Sequence, residues 1–128
     1  SHVAEVSVDG SSIKVEKVFS GVDIGPVINM SGAKNQVEGA VVDALSTAQL
    51  EITFADGAAQ QGNFNDYPLL RIDQAPEVEV HFIQSDNSPS GLGEPPFAPA
   101  TPAIANAIFA ATGTRIREMP FRKAGISV

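Results

Sequence analysis

The chain has no cysteine among its 128 residues, which excludes disulfides, thiolate metal sites, iron–sulfur ligation and cysteine nucleophiles within it. Basic residues are scarce too: 8 lysines and arginines stand against 15 aspartates and glutamates, for a net charge of -7. Without a cationic surplus to neutralise phosphates, nucleic acid and anionic membranes are not expected partners. Histidine is limited to two positions. His81 falls on the wetter side of an alternating stretch, and His2 belongs to a Ser1-His2 opening that reads as a possible tag remnant, so a histidine-built metal site has no support. No apolar run approaches the roughly 18 to 20 residues that span a bilayer, and no basic-then-apolar leader opens the chain, so a soluble molecule is expected. The common catalytic templates are missing as well. There is no phosphate-cradling glycine loop with Lys and Ser/Thr, no G-x-S-x-G elbow, and little material for a Ser-His-acid arrangement.

What is present fits one domain over residues 1–128. The chain is 43% hydrophobic, enough for a core, and too short for two ordinary domains. Residues 3–8 alternate, Asp9-Gly10 suits a tight turn, and Ile13, Val15 and Val18 follow, predicting a β-hairpin. Val22 to Ile28, broken by Gly21, Gly25 and Pro26, reads as a short third strand leaving the sheet. Val37, Ala40, Val41, Ala44, Leu45 and Ala48 then recur at steps of three and four, predicting an amphipathic helix over about 32–49. Ser31 is the preferred cap, and an Asn35–Glu38 capping box is the alternative. Gly39 inside that helix reads as a close-packing position, with ligand approach as the second possibility.

Leu50–Phe54 and Ala58–Phe64 flank Asp56-Gly57 as a second hairpin, and Val78, Val80 and Phe82 mark a strand with one wet face. Residues 84–101 are rich in Ser, Asn, Gly and Pro and read as a loop. A second helix is expected over about 102–112, capped by Thr101, with Pro102 at its first position and Gly113 just past its end. It is apolar nearly all round, so one face is expected to meet protein outside this chain or a second copy. The fold class is therefore α+β: a small mixed or antiparallel sheet packed against two helices.

The loop Gly91-Leu92-Gly93-Glu94-Pro95-Pro96 carries the one charge between Asp86 and Arg115. Glycines permit tight backbone geometry on one side and prolines remove torsional freedom on the other, so Glu94 is presented from a stiff backbone, as a general base requires.

These residues resemble a known family. Gly-Leu-Gly-Glu-Pro-Pro followed by Ala-Ile-Ala-Asn-Ala-Ile is similar to the C-terminal part of the molybdenum hydroxylase large subunit, the xanthine dehydrogenase and aldehyde oxidase family. Asp23-Ile-Gly25, Ile28-Asn29 and Gln36-Val-Glu-Gly39 match in the same order. Asn65-Asp66-Tyr67-Pro68 with Leu70-Arg71 looks like the isoquinoline 1-oxidoreductase β-subunit branch, from which Met30 and Ser90 depart. The resemblance implies a fragment of a molybdopterin-binding domain in which Glu94 is the catalytic base beside molybdenum, accepting a proton from the oxygen nucleophile that attacks an electron-poor carbon. It implies cofactor contact by Gln36 and Gly93, with amides near Gln36 holding an anionic group if they belong to the helix's first turn. It also implies a molybdenum-pterin cofactor completed by upstream sequence, iron–sulfur clusters in a partner domain or subunit, and an N-heterocycle or aldehyde substrate. The fragment alone is expected to be inactive. The rival expectation is a self-contained binding or oligomerisation module in which Glu94 is an ordinary rim acid.

Overall fold

The computed structural model describes all residues, 1–128. Its first elements are β1 (His2–Asp9) and β2 (Ser12–Val22), joined antiparallel through Asp9-Gly10, where Gly10 adopts a φ of 61°. Register slips between Glu5 and Val6, so that Glu5 pairs with Lys17 and Val6 with Val15, leaving Glu16 as the extra residue of a bulge. The bulge explains why Ile13, Val15, Val18 and Ser20 are all buried although strict alternation breaks between 15 and 18. β2 runs to Val22 and ends there. The expected third strand over 22–28 does not form, because Gly25, at φ 71°, turns the chain away and Pro26 has no N–H to pair.

Helix α1 (Met30–Ala48) follows. It starts earlier than expected and its cap is Asn29, whose side chain accepts from the Gly32 amide at 2.9 Å. Ser31 and Asn35 lie inside the helix, and Glu38 pairs with Lys34 at 3.5 Å instead of reaching back to a capping residue. The predicted stripe is buried: Val37, Ala40, Val41, Ala44, Leu45 and Ala48. The second hairpin shrinks to β3 (Phe54–Ala55) and β4 (Ala58–Ala59) around Asp56-Gly57, both at positive φ. With every residue of these strands exposed, nothing buries a longer ribbon.

β5 (Glu77–Phe82) pairs parallel to β2, giving the sheet order β1-β2-β5 and a mixed α+β domain. On the outer face Lys17 reaches Glu77 at 3.0 Å and Glu79 at 2.6 Å, and exposed His81 bonds Glu79 at 2.7 Å. Helix α2 (Phe97–Thr112) begins well before the expected 102. Prolines misled the sequence reading here: Pro96 is the cap and Pro99 lies in the first turn, where a missing N–H breaks no intrahelical bond. Thr101 is no cap; its hydroxyl lies 3.5 Å from the Ala44 carbonyl, across the α1–α2 seam. Gly113 does close the helix in the left-handed conformation, its N–H donating to the Phe109 carbonyl at 2.8 Å.

Both helices pack on one face of the sheet. Val18, Val41, Leu45, Ile104, Ile108, Ile116 and Phe121 belong to one continuous core. α2 buries Ala100, Ile104, Ala105 and Ile108, while its opposite side stays exposed, Phe109 included, over which the Arg115 guanidinium stacks at 3.5 Å.

Beyond β2, the chain is tied to the segment that leads to α2. Asp23 accepts from the Ser85 hydroxyl at 2.5 Å, the Asn87 amide at 2.8 Å and the Gly25 N–H at 3.2 Å, and Ser90 N–H donates to the Ile24 carbonyl at 3.2 Å. A Cβ at Gly25 would fall against the Asn87 carbonyl, far inside van der Waals contact. Gly25→Ala is therefore expected to lower stability by about 2 kcal/mol or more, since close approach and positive φ both oppose it; urea unfolding checks this. The Ser85 bond, then the Gly25 and Asn87 bonds, hold the Asp23 carboxyl below its ordinary pKa. The unfolded chain then binds this proton first, so the stabilisation is present above the ordinary carboxylate range and lost as pH falls through the folded value. Asp23→Asn is expected to flatten the acid limb of a plot of unfolding midpoint against pH.

Candidate functional site

The α1 surface bearing Gln36 and the approach to α2 enclose an open groove of about 660 Å³, lined by Asn35, Gln36, Gly39, Ala40, Asp43, Gly93, Glu94, Phe97 and Ala98. Helical spacing places Gln36, Gly39, Ala40 and Asp43 along one edge of α1. The other wall is built from the loop before α2. There Leu92 is buried and Pro96 is buried, while Gly93, Glu94 and Pro95 between them are exposed. The Phe97 N–H donates to the Glu94 carbonyl at 2.9 Å, closing a turn immediately ahead of the helix. Glu94 is thus carried on a short span pinned at both ends, and its carboxylate engages no ion pair.

Gln36, Gly93 and Glu94 therefore meet at one surface although nearly sixty residues separate the first from the others. A Cβ added at Gly93 would stand 3.4 Å from Gln36 Oε1, so the glycine leaves the glutamine amide room against the loop backbone. That amide offers both a donor and an acceptor. The backbone amides beside Gln36 are not available to an anion, however: α1 starts at Met30, and Gln36 lies more than a turn inside, where N–H groups bond within the helix. Gly39 also differs from the close-packing reading. Nothing lies within 4 Å of where its Cβ would be, and it opens onto the groove.

Five lining residues, Asn35, Ala40, Asp43, Phe97 and Ala98, were not singled out as site residues from the sequence. Asn35 and Asp43 line the groove beside Gln36, and the seven-residue step from 36 to 43 was the available signal. Ala98 lines it too, and Pro102, four residues on, lacks the N–H that would bond the Ala98 carbonyl in a regular helix. No three His, Cys, Asp or Glu side chains converge to hold a metal ion. No helix is long and apolar enough to cross a membrane.

Comparison with known proteins gives the chain a family. Residues 1–76 match the molybdopterin cofactor-binding domain model. The chain is 42% identical over 127 residues to the membrane-bound aldehyde dehydrogenase (pyrroloquinoline-quinone) of Gluconacetobacter polyoxogenes, covering 97% of this chain and 16% of that protein. It is 36% identical over 125 residues to isoquinoline 1-oxidoreductase subunit beta of Brevundimonas diminuta, covering 95% of this chain and again 16% of the relative. The crystal structure of quinoline 2-oxidoreductase from Pseudomonas putida 86 superposes with a TM-score of 0.81 at 23% identity, over 94% of this chain and 17% of that one, and so shares its fold. The chain thus spans about a sixth of the proteins it matches, and it belongs to the molybdopterin cofactor-binding domain family of the molybdenum hydroxylase large subunits.

Proposed function

We propose that this chain is the C-terminal portion of a molybdenum-cofactor-dependent hydroxylase of N-heterocycles or aldehydes, in which Glu94 is the general base and Gln36 and Gly93 contact the cofactor. The observation that carries this is the meeting of those three residues at a single open groove, with the Glu94 carboxylate free of ion partners. The donor set fits such a group. Gln36 can both donate to and accept from a pterin edge, Gly93 presents backbone without a side chain in the way, and the groove is open enough to admit a flat ring. With no ligating cluster in the chain, contact here is through hydrogen bonds to the organic part of the cofactor.

When bound, the molybdenum-pterin group supplies the redox centre that takes two electrons from the substrate carbon. Glu94 does the proton work: one carboxylate oxygen accepts the proton released as the oxygen nucleophile adds to that carbon. A base held by buried Leu92 and Pro96 needs little reorganisation at the moment of transfer, which is what separates a positioned carboxylate from a mobile surface acid. The remainder of the large subunit completes the substrate wall, and an iron–sulfur subunit carries the electrons away. The exposed side of α2 is available to the remainder of the large subunit. Alone, the chain lacks the other reacting partners and is inactive.

In the full-length subunit, Glu94→Gln is expected to retain molybdenum while lowering kcat by about 10²-fold or more, in the range of a general base; steady-state kinetics with metal analysis checks it. Unchanged turnover would make Glu94 a rim acid. The same analysis separates the cofactors, because a bound quinone in place of molybdenum would move the chain toward the pyrroloquinoline-quinone chemistry for which its aldehyde dehydrogenase relative is named. Gly93→Val is expected to raise the molybdenum-free fraction, because the larger side chain displaces the Gln36 amide from the loop.

A further inference from the structure

His2 stands in β1 opposite Ser20 of β2, and its half-buried ring joins two elements far apart in sequence. Its Nδ1 lies 2.7 Å from the Ser20 hydroxyl and its Nε2 2.8 Å from the Pro96 carbonyl oxygen. A carbonyl only accepts, so Nε2 carries the proton, and Nδ1 is then free to accept from the Ser20 hydroxyl. A single neutral tautomer satisfies both bonds. Burial lowers the imidazole pKa, partly offset by the Pro96 carbonyl, which agrees with a ring that works uncharged. Ser20 is fully buried, so the hydroxyl that orients the ring is itself fixed.

Pro96 is the cap of α2 and the third residue of the turn that starts at Glu94 and closes with the Phe97 bond. Upstream, the same segment is held by Asp23 and by the close approach of Gly25 to Asn87. Glycines at 91 and 93 lie between these attachments, so a directional polar tie at Pro96 adds to the burial of Leu92 and Pro96 in fixing the backbone around Glu94. We propose that His2 is a positioning residue for Glu94: its Nε2–H holds the Pro96 carbonyl, and with it the turn from Glu94 to Phe97, against the first hairpin. The catalytic consequence rests on the reading of Glu94 as the base; the anchoring itself does not.

The test uses the full-length, cofactor-loaded subunit with His2→Phe, His2→Gln, Ser20→Ala and Glu94→Gln, and two readouts: kcat with KM, and hydrogen exchange of the Phe97 and Thr101 amides, the first that are bonded in the turn and in α2. His2→Phe is expected to speed exchange at those amides and to lower kcat by about tenfold or more, with KM changed by less than about threefold and molybdenum content unchanged, as for a base displaced by a fraction of an ångström. His2→Gln, whose amide can donate to Pro96 and accept from Ser20, is expected to restore most of the protection and turnover. Wild-type exchange in His2→Phe overturns the proposal, as does a His2→Gln variant as impaired as His2→Phe, since bulk alone would then explain the effect. If His2→Phe does not fold, Ser20→Ala decides: faster exchange at the same amides supports the proposal and unchanged exchange overturns it. Glu94→Gln keeps the two readings apart. Full turnover in that variant removes the base role and leaves exchange alone to judge His2, whereas loss of turnover there beside a normal His2→Phe removes only the His2 proposal.

Discussion

The seam between the two helices sets everything else in this domain. Val41, Ala44, Leu45 and Ala48 of α1 meet Ala100, Ile104, Ala105 and Ile108 of α2 within one core, against Ile13, Val15 and Val18 of the sheet. Alanine at four of these eight helix positions keeps the two axes close, and buried isoleucine and leucine supply most of the apolar area removed from water. Once the seam closes, the start of α2 lies beside the exposed edge of α1, and the groove is the gap left between them. Its walls have different characters. One is a regular helix edge, and the other is a turn held by contacts with the end of β2.

The sequence revealed those parts of the fold whose signal is local and periodic. Asp9-Gly10 marks the first turn, and the α1 stripe was legible residue for residue, because a three-four spacing of apolar side chains on a polar background has few other readings. The start of α2 was illegible for a specific reason. Proline was weighed as a breaker at positions 89, 95, 96 and 99, and only Pro102 as a helix starter, whereas its effect depends on where the first turn falls. The bulge at Glu16 and the parallel pairing of β5 were hidden too, since both are set by neighbours distant in sequence. Among site residues, Glu94 was named from its stiff loop and Gln36 and Gly93 from motif resemblance, and what the sequence could not express was that they share a groove with Asn35, Asp43 and Ala98. His2 was set aside as a possible tag remnant, and only the folded chain reveals its bond to Pro96.

The family assignment and the physical reading complement each other. The chain spans about a sixth of the relatives it matches, and it carries an open groove and a helix face that its own residues leave exposed. In turn, the hydrogen bonds at Asp23 and His2 give a mechanical account of why a glycine-rich approach to a carboxylate need not be mobile. Rigidity here comes from fastening at the flanks, and the glycines are free to serve close approach.

The parallel pairing of β2 with β5 has a further consequence, for the order in which the domain assembles. Val22 and Glu77 are separated by α1 and the small hairpin, so the third strand can join only after a long excursion of chain has been gathered, at an entropic cost that local contacts do not repay. The β1–β2 ribbon and α1 can form early from near neighbours, while β5 waits for a surface to dock on. Glu94 follows β5 in the chain and its turn rests on contacts with β1 and the end of β2, so it takes its final place only once those long-range contacts have formed.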